Sequence, residues 1–348
     1  MFSAHEANRS RLRRRRRVAA IAAFIQLAIV ATACGGDAGE GGASPAIVER
    51  AADRERVAGS GDRAGIDGER ATRSAAIEIV GDDGERVFLN RPAERVVSLI
   101  PGRTDAILAL GAGGSLVART RYDEDPRLAG LPSMQDALTP SVEWLVEQRP
   151  DLVIAWPDRQ SRSVVTRLRD MGIPVYASNV ETIEDVRRAL AALGRLLGRG
   201  TEADSILAVL DTTITGVRRA VAGLPVVRVM YLIGIDPPMA AGSGTFIDEM
   251  ITMAGGENVV HDASSRWPPV SLEQILARQP DVLLIGVESS PAAVLDRLNA
   301  MPGMSSVKAV RDGRVRVLDA SLFNRPGPSI IEALQVLATA IHPEANGS

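Results

Sequence analysis

The sequence predicts an α/β fold of two small lobes with parallel-type central sheets, joined by a long backbone helix and facing each other across a cleft. Three observations predict it. Residues 141–154 and 271–284 repeat each other at an offset of 130 residues: a Ser, a Glu two positions on, and a Pro-Asp pair before an apolar run recur in both. Each copy reads as a short helix, a turn and a buried strand, and two similar units so far apart imply two similar lobes. Strand and helix signals alternate before and after residues 201–222, the pattern of parallel sheets covered by helices. Between the two stretches, Ile206, Leu207, Leu210, Ile214, Val217 and Val221 recur at spacings of three and four, the stripe of one long amphipathic helix.

The elements follow in order. Residues 77–80 and 86–89 flank Gly81-Asp-Asp-Gly84 and read as a hairpin. Residues 96–100 form a buried strand. A helix opening at Thr104 or Asp105 runs through Leu110 and is stopped by Gly111, Gly113 and Gly114. Strand 115–118 precedes the first repeat copy, whose strand covers 152–155. Helix 161–170, a stop at Gly172 and strand 173–177 complete the first lobe. Helices 181–197 and 201–221 link the lobes, and a helical link predicts limited hinge motion. After Pro225 the alternation resumes with strand 226–233, helix 245–254, the second copy with strand 282–285, a helix around 295–298, strand 315–318 and helix 329–341. The expected organisation is a signal segment 1–33, a tether 34–76, an amino-terminal lobe 77–180, linking helices 181–224, a carboxy-terminal lobe 225–342 and a tail 343–348.

The first residues carry an address. Seven Arg within residues 1–33 precede an apolar stretch, 18–33, that is too short for the roughly 20 residues of a spanning helix. It ends in Ala-Thr-Ala before Cys34, the only cysteine in the chain and the position of a bacterial lipidation site. Cleavage would remove a charge of +6 and change the formal net charge from −3 to −9. So acidic a mature chain excludes a nucleic-acid binder, which needs a cationic surface to neutralise phosphates. Residues 35–75 are rich in Gly, Ala, Ser and charges and read as a flexible tether between a lipid-anchored Cys34 and the ordered lobes.

Catalytic constellations are not visible. The chain has three histidines, His5, His261 and His342, too few for a His-rich metal site, and once Cys34 is modified no thiol is left for one. Gly242-Ser-Gly-Thr245 lacks the Lys and the spacing of a phosphate loop and reads as a strand-to-helix loop. No enzyme, no metal and no cofactor are expected.

The segment Arg95-Val-Val-Ser-Leu-Ile-Pro-Gly-Arg-Thr-Asp105, together with 150–156, Gly255-Gly-Glu-Asn258 and 309–316, resembles the helical-backbone (class III) periplasmic substrate-binding proteins of ABC importers. These carry cobalamin, haem and ferric siderophores. Segments 234–238, 266–278 and 323–325 are most similar to the cobalamin-binding members. The resemblance implies an extracytoplasmic, lipid-anchored monomer that captures a corrinoid, or alternatively haem or a ferric siderophore. It would deliver that cargo to a permease dimer with its ATPase subunits. A sensor or enzyme reusing the fold is the reading from another class. Resemblance implies ligand contacts at Tyr122, Trp156, Trp267, Phe323 and Arg325, with Met134 and Met239 standing where the cobalamin-binding members have aromatics. Aromatics make up only 3% of the chain, so their gathering in cleft loops carries weight. Trp144, inside the repeat helix, is expected in the core. Arg103, Arg121, Arg159 and Arg266 are placed within reach of the cleft, where they would suit an anionic ligand, and Tyr122 would be the axial ligand of a haem. Glu143 and Glu273 match the two glutamates that dock among permease arginines; the competing role of each is to stabilise its own helix start.

Overall fold

The computed structural model describes residues 76–344, apart from Leu138. The expected signal segment, Cys34 and all but the last residue of the tether lie outside the described residues. The hairpin forms as read, with β1 (Ile77–Val80) antiparallel to β2 (Arg86–Leu89). The amino-terminal sheet contains β3 (Val96–Ser98), β4 (Leu116–Thr120), β5 (Ser133–Met134), β6 (Leu152–Ala155) and β7 (Val175–Ala177). All its pairings are parallel, in the order β5-β4-β3-β6-β7. The helices α1 (Pro101–Ala109), α2 (Val142–Glu147) and α3 (Arg162–Asp170) connect these strands. Helices α4 (Ile183–Leu196) and α5 (Gly200–Ala220) follow, and at ~1.5 Å per residue α5 is roughly 30 Å long.

The carboxy-terminal sheet has the order β10-β8-β11-β12, all parallel, with β9 antiparallel on β8. Its strands are β8 (Val227–Ile235), β9 (Pro238–Ala240), β10 (Gly256–Asn258), β11 (Val282–Val287) and β12 (Val315–Asp319). Helix α6 (Phe246–Met253) lies between β9 and β10. Helices α7 (Leu272–Arg278), α8 (Pro291–Ala300), α9 (Lys308–Arg311), α10 (Ala320–Phe323) and α11 (Ile330–Ile341) complete the lobe.

Two differences from the sequence reading have local causes. Helix α1 starts at Pro101, earlier than expected. A Pro at the first helical position forfeits an N–H that would be unpaired anyway and holds Ile100 before it in an extended conformation. Strands β5, β9 and β10 have two or three residues each, too few to show a period of two.

Burial is organised in three cores. One is shared: Leu152 and Ile154 of the first sheet, Leu193 of α4, Leu210 of α5, Leu334 of α11 and Leu284 of the second sheet belong to a single apolar cluster. The opposite face of each sheet has its own smaller core. Val153, Leu145 and Leu168 fill one, and Leu283, Ile275 and Met230 fill the other. Alternating residues of β6 and β11 thus serve the shared core and a private one, which explains why these strands are apolar throughout. Because the helical backbone is itself part of the shared core, moving one lobe against the other would have to shear packed side chains.

Candidate functional site

Parallel strands place all their carboxyl ends on one edge, and the loops leaving those edges are the places where the two lobes touch. After β3, the Arg103 Nη1 donates to the Pro326 carbonyl between α10 and α11 at 2.8 Å. After β7, the Glu181 carbonyl accepts from the Phe246 N–H at 2.5 Å, and its carboxylate accepts from Trp267 Nε1 at 3.4 Å. The carboxyl ends of the two sheets therefore oppose each other, the arrangement in which open α/β sheets bind ligands.

Five of the seven expected ligand contacts have accessible side chains, four of them on loops and Met239 on β9. Tyr122 is 44% exposed on the turn after β4, and Arg121 Nη2 donates to its hydroxyl at 2.5 Å with the guanidinium 4.7 Å from the ring centroid. That hydroxyl is the first cause that raises the Arg121 pKa. The turn is held by the buried Asp123, whose Oδ2 accepts from the Thr120 N–H at 2.7 Å and from its hydroxyl at 2.8 Å. Thr120 Oγ1 in turn accepts from the Tyr122 N–H at 3.2 Å. Trp156 is half-buried at the end of β6, and Met239 is half-buried on β9. Trp267 is half-buried with its ring 6.1 Å from that of Phe246. Arg325 is half-buried, 3.9 Å from the Glu288 carboxylate.

Three residues correct the sequence reading. Phe323 is only 2% exposed and packs 6.1 Å from the Tyr231 ring, because α10 turns it into the shared core. Met134 is 7% exposed in the private core of the first lobe, since β5 pairs with β4 and points it beneath the sheet. Arg103 does not reach solvent in the cleft; it is 2% exposed and bonded to Ser178 and Pro326. Arg121, Arg159 and Arg266 are exposed. Trp144 is half-buried against the private core of the first lobe.

Glu143 and Glu273 are both exposed in the first turns of α2 and α7. Its own N–H, then the Ser141 hydroxyl and Arg167, hold Glu143 below the usual carboxylate range. The Ser271 hydroxyl and its own N–H do the same for Glu273. Arg167 lies 3.5 Å from Glu143, whereas among the described residues no cation pairs with Glu273.

The Pro-Asp pair has a structural role that the sequence reading missed. Asp151 accepts from the N–H groups of Glu94 and Arg95 at 3.0 and 2.9 Å, and the Arg95 side chain donates to the carbonyls of Arg149 and Gln148. Asp281 accepts from the Arg228 N–H at 3.0 Å, and the Arg228 side chain donates to the carbonyls of Gln279 and Arg278. The signal was in the sequence: an Arg stands immediately before Val96-Val97 and before Val229-Met230.

A concavity of about 690 Å³ is lined by α4, α5 and α6. Its charged groups are largely engaged within the fold: Arg187 pairs with Asp211, Glu249 accepts from the Ile183 N–H, and Asp248 accepts from Asn258 Nδ2. Among the described residues no three His, Cys, Asp or Glu gather as a metal site, and no helix is long and apolar enough to cross a membrane.

Two α/β lobes on a helical backbone, with accessible aromatics at opposed strand ends, define a solute-binding protein of the two-lobed type. The chain belongs to the periplasmic binding protein family, whose sequence profile matches residues 96–322, and its place of work is extracytoplasmic. It is 27% identical over 249 residues to the vitamin B12-binding protein of Vibrio cholerae, covering 71% of this chain and 89% of that one. The periplasmic haem-binding protein of Roseiflexus sp. RS-1 superposes with a TM-score of 0.64 at 28% identity, covering 73% of this chain and 99% of that one. An ABC-type Fe3+-hydroxamate transport system protein from Saccharomonospora viridis superposes with a TM-score of 0.64 at 26% identity, covering 78% and 99%.

Proposed function

We propose that the protein is the lipid-anchored binding component of an ABC importer that captures a corrinoid between its lobes and delivers it to the permease, acting as a monomer without catalysing a reaction. The observation that carries this reading is the placement of Tyr122, Trp156 and Trp267 at the opposed strand ends, beside a relative named as vitamin B12-binding. A flat macrocycle needs broad apolar walls, and aromatic faces supply them at little entropic cost. Met239 adds an adaptable apolar contact and Arg325 a polar one. Cys34 is the proposed lipid anchor, and Glu143 and Glu273 are the proposed docking posts, one on each lobe, for permease arginines.

A second reading, haem or a ferric siderophore, is favoured by one feature. Tyr122 is exposed with Arg121 bonded to its hydroxyl, which offers an oxygen ligand for iron next to a cation for a propionate or hydroxamate. Titration of the purified protein with cyanocobalamin, haem and a ferric-siderophore panel decides between them. Cyanocobalamin binding at micromolar or tighter Kd is expected; haem binding abolished by Tyr122→Phe, without cyanocobalamin binding, would overturn the corrinoid assignment. For docking, Glu143→Ala with Glu273→Ala is expected to leave ligand affinity unchanged and abolish uptake.

A further inference from the structure

Arg103 is a cation buried where the two lobes meet. Its side chain spans three elements: Nε donates to Ser178 Oγ, after β7, at 2.9 Å, and Nη1 donates to the Pro326 carbonyl of the other lobe at 2.8 Å. Burial pushes its pKa down to about 10, against the opposing fields of Tyr176, Asp82 and Asp185, so the group remains charged at neutral pH. Desolvating a guanidinium to reach two neutral acceptors is expensive and is not needed to close a helix start.

The backbone is built for the same contact. A Cβ at Gly102 would stand 2.8 Å from the Pro326 carbonyl oxygen, and one at Gly327 would stand 2.9 Å from the Gly102 carbonyl oxygen. Only two glycines allow α1 and the 325–327 loop to approach so closely. One residue before Arg325, the loop is anchored to its own sheet instead. Asn324 Oδ1 accepts from the buried Tyr231 hydroxyl at 2.8 Å, and its Nδ2 donates to the Gly286 carbonyl at 3.1 Å. Arg325 therefore sits between two attachments, one to each lobe.

We propose that Arg103 is a positioning residue for the ligand: it pins the Asn324–Gly327 loop to the amino-terminal lobe and so fixes where Arg325 stands in the cleft and how far the lobes can part there. The step from loop to ligand rests on the function proposed above; the pin itself does not.

The test is hydrogen exchange on Arg103→Gln, combined with cyanocobalamin affinity. Exchange at Asn324, Arg325 and Gly327 is expected to rise about tenfold or more while strand β11 is unchanged, as for a locally released segment. Cyanocobalamin affinity is expected to fall about tenfold, and that loss is expected to vanish in an Arg325→Ala background, because the two residues act through one contact. Unchanged exchange at 324–327, or an equal rise throughout the lobe, would overturn the pin. A loss of affinity that persists without Arg325 would overturn its role in placing that residue. If Arg103→Gln does not fold, Arg103→Lys replaces it: a single ammonium cannot span Ser178 and Pro326 as the fork does, so a smaller rise at the same amides is expected and its absence counts against the pin. If the wild type does not bind cyanocobalamin while exchange responds as stated, the corrinoid reading falls and the pin stands.

Discussion

The two repeat copies differ in which contacts they keep and which they vary. Both open on a Ser whose hydroxyl accepts from a backbone N–H at 3.2 Å, from Trp144 in one and Gln274 in the other. Both bury one apolar residue at the same place, Leu145 and Ile275. Both turn out of the helix through a residue of positive φ, Arg149 at 48° and Gln279 at 42°, and both use the following Asp to clamp the start of the adjacent strand. Each of these features does the same structural work twice. The glutamates repeat only in part: the Ser hydroxyl and the residue's own N–H act on both, but Glu143 also faces Arg167, while Glu273 has no ion pair among the described residues. The ion pair is therefore not what the repeat preserves. What recurs is an exposed carboxylate in the first helical turn, and the docking role proposed above is for that carboxylate and not for the Pro-Asp pair, which is spent on the fold.

The largest effects should come from the one apolar residue that both copies bury at the same place. Leu145→Ala and Ile275→Ala are each expected to cost about 2–5 kcal/mol by denaturant unfolding. They lie in separate private cores, so the double variant should lose the sum of the two within about 0.5 kcal/mol. Strong coupling between them would mean that the lobes do not pack independently on those faces. Next come the clamps. Asp151→Ala frees two N–H groups and Asp281→Ala one, so the first is expected to cost about 1–2 kcal/mol and the second less. The reverse order would give Lys308, which contacts Asp281 at 2.9 Å, more weight than the backbone bonds.

The caps should separate the copies by a smaller margin. Only the second copy has a reciprocal box, because Gln274 Oε1 accepts from the Ser271 N–H at 2.8 Å whereas Trp144, at the equivalent place, packs against the private core. Ser271→Ala is expected to cost about 1 kcal/mol and Gln274→Ala a few tenths, both read by thermal unfolding. No penalty for Gln274→Ala would show that the reciprocal bond adds nothing.

How much of this could be read from the residues follows from the range of the interactions. The stripe of α5 was legible because its apolar spacing is local, and Ile206, Leu210, Ile214 and Val217 are all buried. The buried strands of the repeat were legible for the same reason. The fate of Arg103 was not: its partner Pro326 is 223 residues away, and an Arg after a strand reads as a cleft residue until that partner is in place. Phe323 failed in the same way, since whether it faces a ligand or Tyr231 depends on a strand some 90 residues earlier. Tyr122 and Trp156 were placed correctly on exposed or half-buried loops because strand ends are local features, whereas the side of the sheet on which Met134 falls is set by its pairing with β4.

The smallest expected effect concerns the glutamates themselves. Their local hydrogen bonds hold both pKa values below the ordinary carboxylate value of about 4.3. A carboxylate depressed on folding stabilises the native state above its unfolded pKa and loses that contribution as pH falls through its folded value. The thermal midpoint of Glu143→Gln with Glu273→Gln should therefore lie slightly below wild type at neutral pH, and the gap should close below about pH 4. Both side chains are exposed, so the gap at neutral pH should be small beside the loss of uptake expected for the docking posts. A large neutral-pH drop in the midpoint, with uptake retained, would reverse the assignment and make the two glutamates helix stabilisers, repeated for the same reason as the Ser and the Asp on either side of them.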